Sequence, residues 1–178
     1  MQFEKVRITN CIFENVIFKN HTKTTCCIEE CEFINCEFHD TFRDEELDDI
    51  LLVLMNNIFT QCLFENISFY GYNEQSEILH SKFANCNFKN IQLEGNLAIA
   101  ALTLSEGNVE CFSFKGLEIR DNCLINVKLK DLDLKAAVYF NKLENVVFKD
   151  VKLTGRIDKN DFINCDESGF TFIPNDNW

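Results

Sequence analysis

The sequence predicts an all-β solenoid, a rod of short strands wound around an axis, and three observations support this fold class. A large apolar residue recurs at every fifth position, a small residue stands two positions before it, and a turn former stands two positions after it. In the segment CEFINCEFHD, for example, Cys31 and Cys36 precede Phe33 and Phe38. A period of five matches neither a helix nor an uninterrupted strand. It therefore indicates short strands joined by regular corners.

Composition and charge limit the class of protein. The 178 residues suffice for one domain or one short repeat array, and 46% of them are hydrophobic. A net charge of −12 argues against non-specific nucleic-acid binding, which normally needs a basic stripe. No apolar run approaches the ~20 residues of a membrane span, and the first residues lack the layout of a signal peptide. We therefore expect a cytoplasmic protein with reduced thiols.

The large and small positions of the repeat predict the core. Two apolar residues spaced by two point to the same side of an extended segment, so both positions should face the axis. Coils should stack at the ~4.8 Å spacing of paired strands, and Cys suits the small position as a compact hydrophobe. The predicted core-packing residues are Cys11, Phe13, Phe18, Cys31, Phe33, Cys36, Phe38, Phe59, Cys62, Phe64, Phe69, Phe83, Cys86, Phe88, Phe114 and Phe148.

The turn formers predict the corners. Asn, Asp or Gly follows most large positions by two residues, as at Asn10, Asn66, Asn90, Asp121 and Asn145. These residue types adopt turn and left-handed conformations at low cost. Each such residue should therefore bend the chain from one side of the solenoid to the next.

This pattern resembles the pentapeptide repeat family, and the resemblance covers nearly the whole chain. It implies a right-handed quadrilateral β-helix that occupies residues 1–178 as a single domain. The family favours Ala at the small position, whereas Cys and Val take its place here. We interpret this difference as a variant of the same packing.

The largest interruption of the repeat covers residues 41–57, TFRDEELDDILLVLMNN. Leu47, Ile50, Leu51 and Leu54 recur at helical spacing and would form one apolar stripe. The acids at its start would interact favourably with a helix dipole. We predict a short amphipathic helix that loops out of the solenoid and folds back on it. Smaller breaks are expected near residues 71–77, 97–102 and 136–141.

Negative charge is concentrated around this interruption. Residues 29–49 contain ten acids and one base, Arg43, for a net charge of −9. One interpretation is that the acids keep a Phe-rich scaffold soluble. The other is a docking surface for a basic protein, since charge complementarity speeds and orients association. The candidate partner-binding residues are Asp44, Glu45, Glu46, Asp48 and Asp49.

The cysteines do not predict a metal site or a cofactor. Structural zinc sites use closely spaced Cys pairs whose side chains converge, whereas a spacing of five places Cys26, Cys31 and Cys36 on different sides of a solenoid. Cys11 and Cys31, one coil apart if a coil has 20 residues, should stack and stay reduced in a cytosol. We expect these thiols to be inert packing groups.

No catalytic pattern is apparent either. His21, His39 and His80 do not stand near a nucleophile with an orienting acid, and no phosphate-binding glycine loop occurs. A solenoid filled by its own side chains also offers little concave pocket. We therefore expect a protein that is not an enzyme.

Three functions are consistent with these features. The first is a non-catalytic scaffold that presents its acidic face and insertion to a protein partner. The second follows from the family resemblance: some pentapeptide repeat proteins mimic DNA and bind DNA gyrase or topoisomerase IV, which implies a type II topoisomerase as partner. The third is a structural protein that assembles end to end, and homodimerisation through a solenoid end is a related expectation. None of the three involves direct contact with nucleic acid or a membrane.

Overall fold

The computed structural model describes residues 2–4, 6–14, 25–29, 31–34, 36–39 and 51–175, and these form strands joined by tight corners. The strands are β1 Gln2–Glu4, β2 Arg7–Thr9, β3 Ile12–Glu14, β4 Thr25–Glu29, β5 Glu32–Ile34, β6 Glu37–His39, β7 Leu51–Met55, β8 Ile58–Thr60, β9 Leu63–Leu79, β10 Lys82–Ala84, β11 Asn87–Ala100, β12 Thr103–Ser105, β13 Asn108–Arg120, β14 Cys123–Ile125, β15 Lys128–Tyr139, β16 Lys142–Glu144, β17 Val147–Asp158, β18 Asp161–Ile163 and β19 Phe170–Pro174.

Every strand pair is parallel, and each strand pairs with its counterpart in the next coil. One sheet runs β2-β5-β8-β10-β12-β14-β16-β18. The other runs β1-β4-β7-β9-β11-β13-β15-β17-β19, with β3 joined through β6 to β9. This all-β parallel solenoid confirms the fold expected from the pentapeptide pattern, whereas its handedness and quadrilateral section stay predictions.

The coils shorten along the chain. Arg7 lies over Glu32, 25 residues on, whereas near the other end Asn122 lies over Asn141, 19 residues on. The predicted stacking of Cys11 on Cys31 is therefore wrong, because the first coils are longer than 20 residues. The amide of Glu37 donates to the carbonyl of Cys11, so Cys11 stacks on Cys36 instead.

The corners lie where the turn formers predicted them. Asn10, Asn66, Asn90, Asp121 and Asn145 all have φ between 53° and 56°. Left-handed corners are also formed by residues outside the usual set, among them Gln61, His80, Ala101, Cys111, Phe140 and Lys159. The repeat geometry therefore imposes the left-handed conformation even where the residue does not favour it.

Stacked phenylalanine rings form part of the core. The rings of Phe33, Phe59 and Phe83 stack with centroids 4.9 and 4.8 Å apart. The structure buries Cys31, Phe33, Cys36, Phe59, Cys62, Phe64, Phe83, Cys86, Phe114 and Phe148, and packs the partly buried Cys11 and Phe88 against them. The side chains of Phe13, Phe38 and Phe69, and the whole of Phe18, lie outside the described residues.

The predicted helix is wrong over its second half. Leu51–Met55 forms strand β7, which pairs in parallel with β4 and β9, while residues 41–50 lie outside the described part of the chain. The run LLVLM offers apolar side chains to both faces of a strand, and pairing with two neighbours outweighs its helical spacing. Within the described residues, no helix is long and apolar enough to cross a membrane.

Candidate functional site

Successive coils differ in their number of residues along one edge of the rod, which we call the variable edge. Glu94 pairs with Lys115 and Ala98 with Glu118, so four steps along β11 match three along β13. Between β13 and β15 the same stretch shortens again, whereas β15 and β17 stay in register throughout. The variable edge comprises residues 71–76, 95–97, 116–117 and 136. The predicted breaks at 71–77, 97–102 and 136–141 begin at this edge.

The acidic segment is inserted into the chain between two strands that flank this edge. Strand β6 ends at His39, which pairs with Glu65, and the chain returns in β7, where Val53 pairs with Glu77. In the next coil the stretch from Glu65 to Glu77 contains residues 71–76 of the variable edge. The candidate residues Asp44, Glu45, Glu46, Asp48 and Asp49 themselves lie outside the described residues.

Ion pairs join neighbouring coils on the described outer faces. Lys89 Nζ lies 2.9 Å from Glu65 Oε1, and Lys115 Nζ lies 2.6 Å from Glu94 Oε1 in the neighbouring row. Residues 128–159 carry eight Lys and Arg against five Asp and Glu, a net charge of +3. By contrast, residues 29–49 carry −9, so the charge is distributed unevenly along the chain.

A compact polar cluster lies on the outer face of β13 and β15. Arg120 Nε lies 2.7 Å from Glu118 Oε1, and the hydroxyl of Tyr139 donates to Glu118 Oε2. Burial opposes ionisation of Glu118, but the hydrogen bonds from Tyr139 and Arg120 outweigh it and lower the pKa of this carboxyl. The same hydrogen bond raises the pKa of Tyr139. Tyr139 therefore keeps its proton, and the cluster joins adjacent coils rather than supplying a base.

The cysteines at one inward position form a column. Cys36, Cys62 and Cys86 are buried in successive coils, and the Cys62 thiol donates to the carbonyls of Phe33 and Thr60 at 3.5 and 3.4 Å. Burial raises the pKa of the Cys36 thiol. A hydrogen bond with Cys62, together with burial, raises the pKa of Cys86. These two thiols stay protonated at neutral pH and are poor nucleophiles.

A second inward position carries a column of buried amides that the sequence analysis missed. Asn57, Asn122 and Asn141 are buried. The backbone and side-chain nitrogens of Asn122 both donate to Asn141 Oδ1, at 3.0 and 2.9 Å, and Asn141 makes the same pair of bonds to Asn160. Their position in the repeat identifies them as inward-facing, because each stands two residues before a large apolar residue. The sequence analysis places Asn only at the corners of the solenoid.

One group among the described residues has ligand atoms close enough for a metal ion. Single ligand atoms of Glu110, Cys111 and Asp131 lie within 4.8 Å of one another on the surface. Lys130 Nζ contacts Glu110 and lies 3.3 Å from Asp131 Oδ2. The ammonium group therefore already neutralises much of the charge that would attract a cation.

The interior is not solid throughout, in contrast to the expectation from the sequence. A cavity of about 240 Å³ lies on the axis between the coil of Leu54 and that of Leu134. Phe83 of β10 and Leu143 of β16 are buried, yet Leu104 and Leu124, which lie between them in the same inward column, are only partly buried. Leu in place of Phe leaves this space unfilled.

The sequence matches no protein-family model and no curated protein. Solved structures similar to this one include QnrB1, a plasmid-mediated fluoroquinolone resistance protein, at 17% identity, with 99% of this chain and 93% of that chain covered and a TM-score of 0.38. They also include HetL, a pentapeptide repeat protein involved in heterocyst differentiation regulation from the cyanobacterium Nostoc sp. strain PCC 7120, at 6% identity, 96% and 88% coverage and a TM-score of 0.23. At these TM-scores the similarity carries no functional information.

Proposed function

We propose that this protein is a non-catalytic scaffold that binds a basic protein partner through the acidic segment inserted beside the variable edge. The observation that carries the proposal is the charge distribution: residues 29–49 hold −9 of a total of −12, and residues 40–50, which join β6 to β7, hold −5 of it. The strands that flank this segment are paired on both sides, since β6 lies between β3 and β9 and β7 lies between β4 and β9. A rigid frame at both attachment points limits the loss of conformational entropy on binding.

The chemistry of the described residues supports a scaffold rather than an enzyme. The buried thiols of Cys36 and Cys86 have raised pKa values, and Tyr139 is held by Glu118. A nucleophile needs an activating base or a lowered pKa, which Cys36, Cys86 and Tyr139 lack. The hydrogen bond with Cys86 lowers the pKa of Cys62 to about 7, but this thiol is buried in the core. The thiols of Cys11, Cys31, Cys36, Cys62, Cys86, Cys111, Cys123 and Cys165 are free, which is consistent with the proposed cytoplasmic location.

The decisive experiment neutralises the acids without changing their shape. Affinity capture with a variant that carries Asp44→Asn, Glu45→Gln, Glu46→Gln, Asp48→Asn and Asp49→Asn should lose the partner that the wild-type chain retains at low salt. The matched control neutralises five acids elsewhere, namely Asp150, Asp158, Asp161, Asp166 and Glu167. Equal capture by both variants would place the binding surface elsewhere. Raising ionic strength should weaken wild-type binding, because exposed charges are screened.

A deletion tests whether the binding surface lies within residues 42–50. It must end before Leu51, because Leu51–Met55 is a paired strand. Removal of residues 42–50 and closure with a short Gly-Ser linker should retain the β-sheet circular dichroism signal and abolish binding. Retention of both the fold and the partner would contradict the proposal.

DNA mimicry toward a type II topoisomerase is the second candidate, and the total charge of −12 on a rod supports it. The net charge of +3 over residues 128–159 is unlike DNA, whose charge is uniform along its length. A DNA gyrase supercoiling assay, with and without a fluoroquinolone, tests this function. Inhibition or protection at low micromolar protein would establish it, whereas no effect in either arm would exclude gyrase as the target.

End-to-end assembly is the third candidate, supported by apolar side chains near the last described coil. Phe172 is 38% exposed and Ile173 is 42% exposed, both in β19. The open end of a solenoid needs a cap or a partner, so a homodimer through this end is also proposed. Light scattering over a range of concentrations should show a mass that rises with concentration, and a constant monomer mass would exclude both forms of assembly.

A further inference from the structure

We propose that the axial cavity is a binding site for a small, uncharged, unbranched hydrocarbon group. This inference is independent of the scaffold function, because it rests on the inward side chains of the coils and not on the charge of residues 29–49.

The walls are four columns of inward side chains. One column contributes Leu54, Ile78, Ile99 and Ile119, in register from coil to coil. The opposite walls are, in chain order, Phe64, Phe88, Val109 and Leu129; Ile67, Ile91, Phe112 and Leu132; and Phe83, Leu104 and Leu124. The walls therefore repeat the same apolar surface over several coils.

Aliphatic residues replace Phe where the cavity lies. In the column of Phe59 and Phe83 the rings stack at 4.8 Å and leave no gap, but Leu104 and Leu124 continue that column without a ring. Phe64 and Phe88 likewise stack at 4.8 Å before Val109 follows them. The cavity therefore results from Leu104, Leu124 and Val109, which follow the stacked rings in these two columns.

The cavity offers no site for water. Asn122 supplies the polar side chain among the described lining residues. Its Nδ2 donates to Ile99 O at 3.3 Å and to Asn141 Oδ1 at 2.9 Å, while its Oδ1 accepts from the amide of Leu102. A buried water needs about 2–4 polar partners, so the cavity is dry. The same reasoning excludes a ligand with a charged or hydrogen-bonding head.

Size and shape define the ligand further. The volume of 240 Å³ exceeds the ~150 Å³ of an apolar cavity that accepts benzene. A wall column of four residues, from Leu54 to Ile119, spans three coil spacings, or about 14 Å at the spacing of paired strands. The cavity is therefore long and narrow, and an unbranched chain fills it better than a ring of the same mass.

The test is an NMR titration of the full chain, labelled at the methyl groups of Leu, Ile and Val, with n-hexane. We expect saturable shifts at the methyls of Ile99, Leu104, Ile119 and Leu124, and smaller shifts with cyclohexane at the same activity. At about ten times Kd, n-hexane should also raise Tm by about 3–5 °C, because it binds the native state alone. Absence of saturable shifts at these methyls, or equal shifts with both probes, would overturn the proposal.

A pair of variants separates the cavity from surface adsorption. Leu104→Phe combined with Leu124→Phe continues the ring stack of Phe83 and should abolish the shifts and the rise in Tm. Ile58→Phe adds the same ring on the outside of the rod, where Ile58 is 43% exposed, and should leave n-hexane binding unchanged. Loss of binding in the Ile58 variant, or its persistence in the double variant, would contradict an axial site. If the double variant does not fold, the wild-type methyl shifts decide alone.

Discussion

At the scale of single residues, the corners show how the repeat overrides residue preference. Asn, Asp and Gly occupy many left-handed corners, but Ala101, Glu106, Cys111 and Phe140 adopt φ between 54° and 57° as well. A left-handed residue with a Cβ costs roughly 1–2 kcal/mol, so these corners store strain. They persist because the hydrogen bonds of the adjacent strands fix the backbone on both sides.

Removing this strain should stabilise the protein. Ala101→Gly at φ 54° should raise the free energy of unfolding by about 0.5–1 kcal/mol. Urea unfolding followed by circular dichroism measures the change. The control is Ala84→Gly within strand β10, where glycine only adds backbone entropy and should destabilise by about 0.5–1 kcal/mol. The same sign of change in both variants would refute strain at the corner.

Glu118 should give the rod a pH dependence. Hydrogen bonds from Tyr139 and Arg120 outweigh burial and hold the pKa of this carboxyl below its ordinary value in the folded protein, so the unfolded chain binds its proton more readily. The stabilisation is therefore present above the unfolded pKa and is lost as pH falls through the folded pKa. Glu118→Gln should flatten the decline of Tm on acidification below about pH 4.5, relative to Glu167→Gln at an exposed position. Identical acid profiles for the two variants would contradict the role of Glu118.

At the scale of elements, stacked columns hold neighbouring coils together. The Asn column joins three successive coils through Asn122, Asn141 and Asn160, and the Phe column joins three earlier coils through Phe33, Phe59 and Phe83. One column satisfies buried polar groups and the other fills volume. They should respond differently to truncation.

Asn141→Ala removes the centre of the amide column. The backbone and side-chain donors of Asn122 then lose their shared acceptor inside the core, which should cost about 1–3 kcal/mol of stability. Asn108→Ala removes an exposed amide that bonds to Asn87 and should change stability by no more than ~0.5 kcal/mol. Equal losses in chemical denaturation would show that burial of the amide column is unimportant.

Phe59→Ala removes a fully buried ring between two stacked neighbours. The loss of the ring and the cavity that remains should cost about 3–5 kcal/mol. Ile58→Ala, one residue away on the outer side of the same strand, should cost less than ~1 kcal/mol. The difference between the two unfolding midpoints in urea checks the inward assignment of Phe59. A larger loss for Ile58 would reverse the faces of β8.

These columns also show what the sequence could predict. The phase of Phe33 and Phe59 within the period of five identified the inward face, because alternation in a strand depends only on local order. The phase does not identify which residues stack, since the coil length depends on the breaks. The predicted stacking of Cys11 on Cys31 is wrong for this reason. The axial cavity was missed for another reason: Leu and Phe are both apolar, and only packing in three dimensions distinguishes their volumes. The candidate acidic site rests on charge composition alone.

At the scale of the whole molecule, the rod is built from contacts between adjacent coils. Each described strand between the first and the last coil contacts a strand one coil before and a strand one coil after it. In such an array stability is a sum of coil terms and nearest-neighbour interfaces. The effects of changes at one end should therefore fade toward the other.

A truncation tests this locality. Removing residues 161–178 deletes β18 and β19 and one interface, so the remaining coils should keep their β-sheet signal per residue while Tm falls by several degrees. Hydrogen exchange should show the loss of protection concentrated in β16 and β17. Complete loss of sheet structure would mean that the last coil caps the whole array.

The shortening of the coils has a consequence for polymerisation. Successive residues in one column are 26 positions apart near one end of the chain, between Cys31 and Asn57, and 19 apart near the other, between Asn141 and Asn160. A fibre would require the last coil of one copy to continue into the first coil of the next, and the two coils differ in length, since 25 residues separate Arg7 from Glu32 and 19 separate Asn141 from Asn160. Contacts between unlike ends extend without limit when they match, whereas contacts between like ends close after two copies. We therefore expect the shortening of the coils to favour a closed dimer over an open filament.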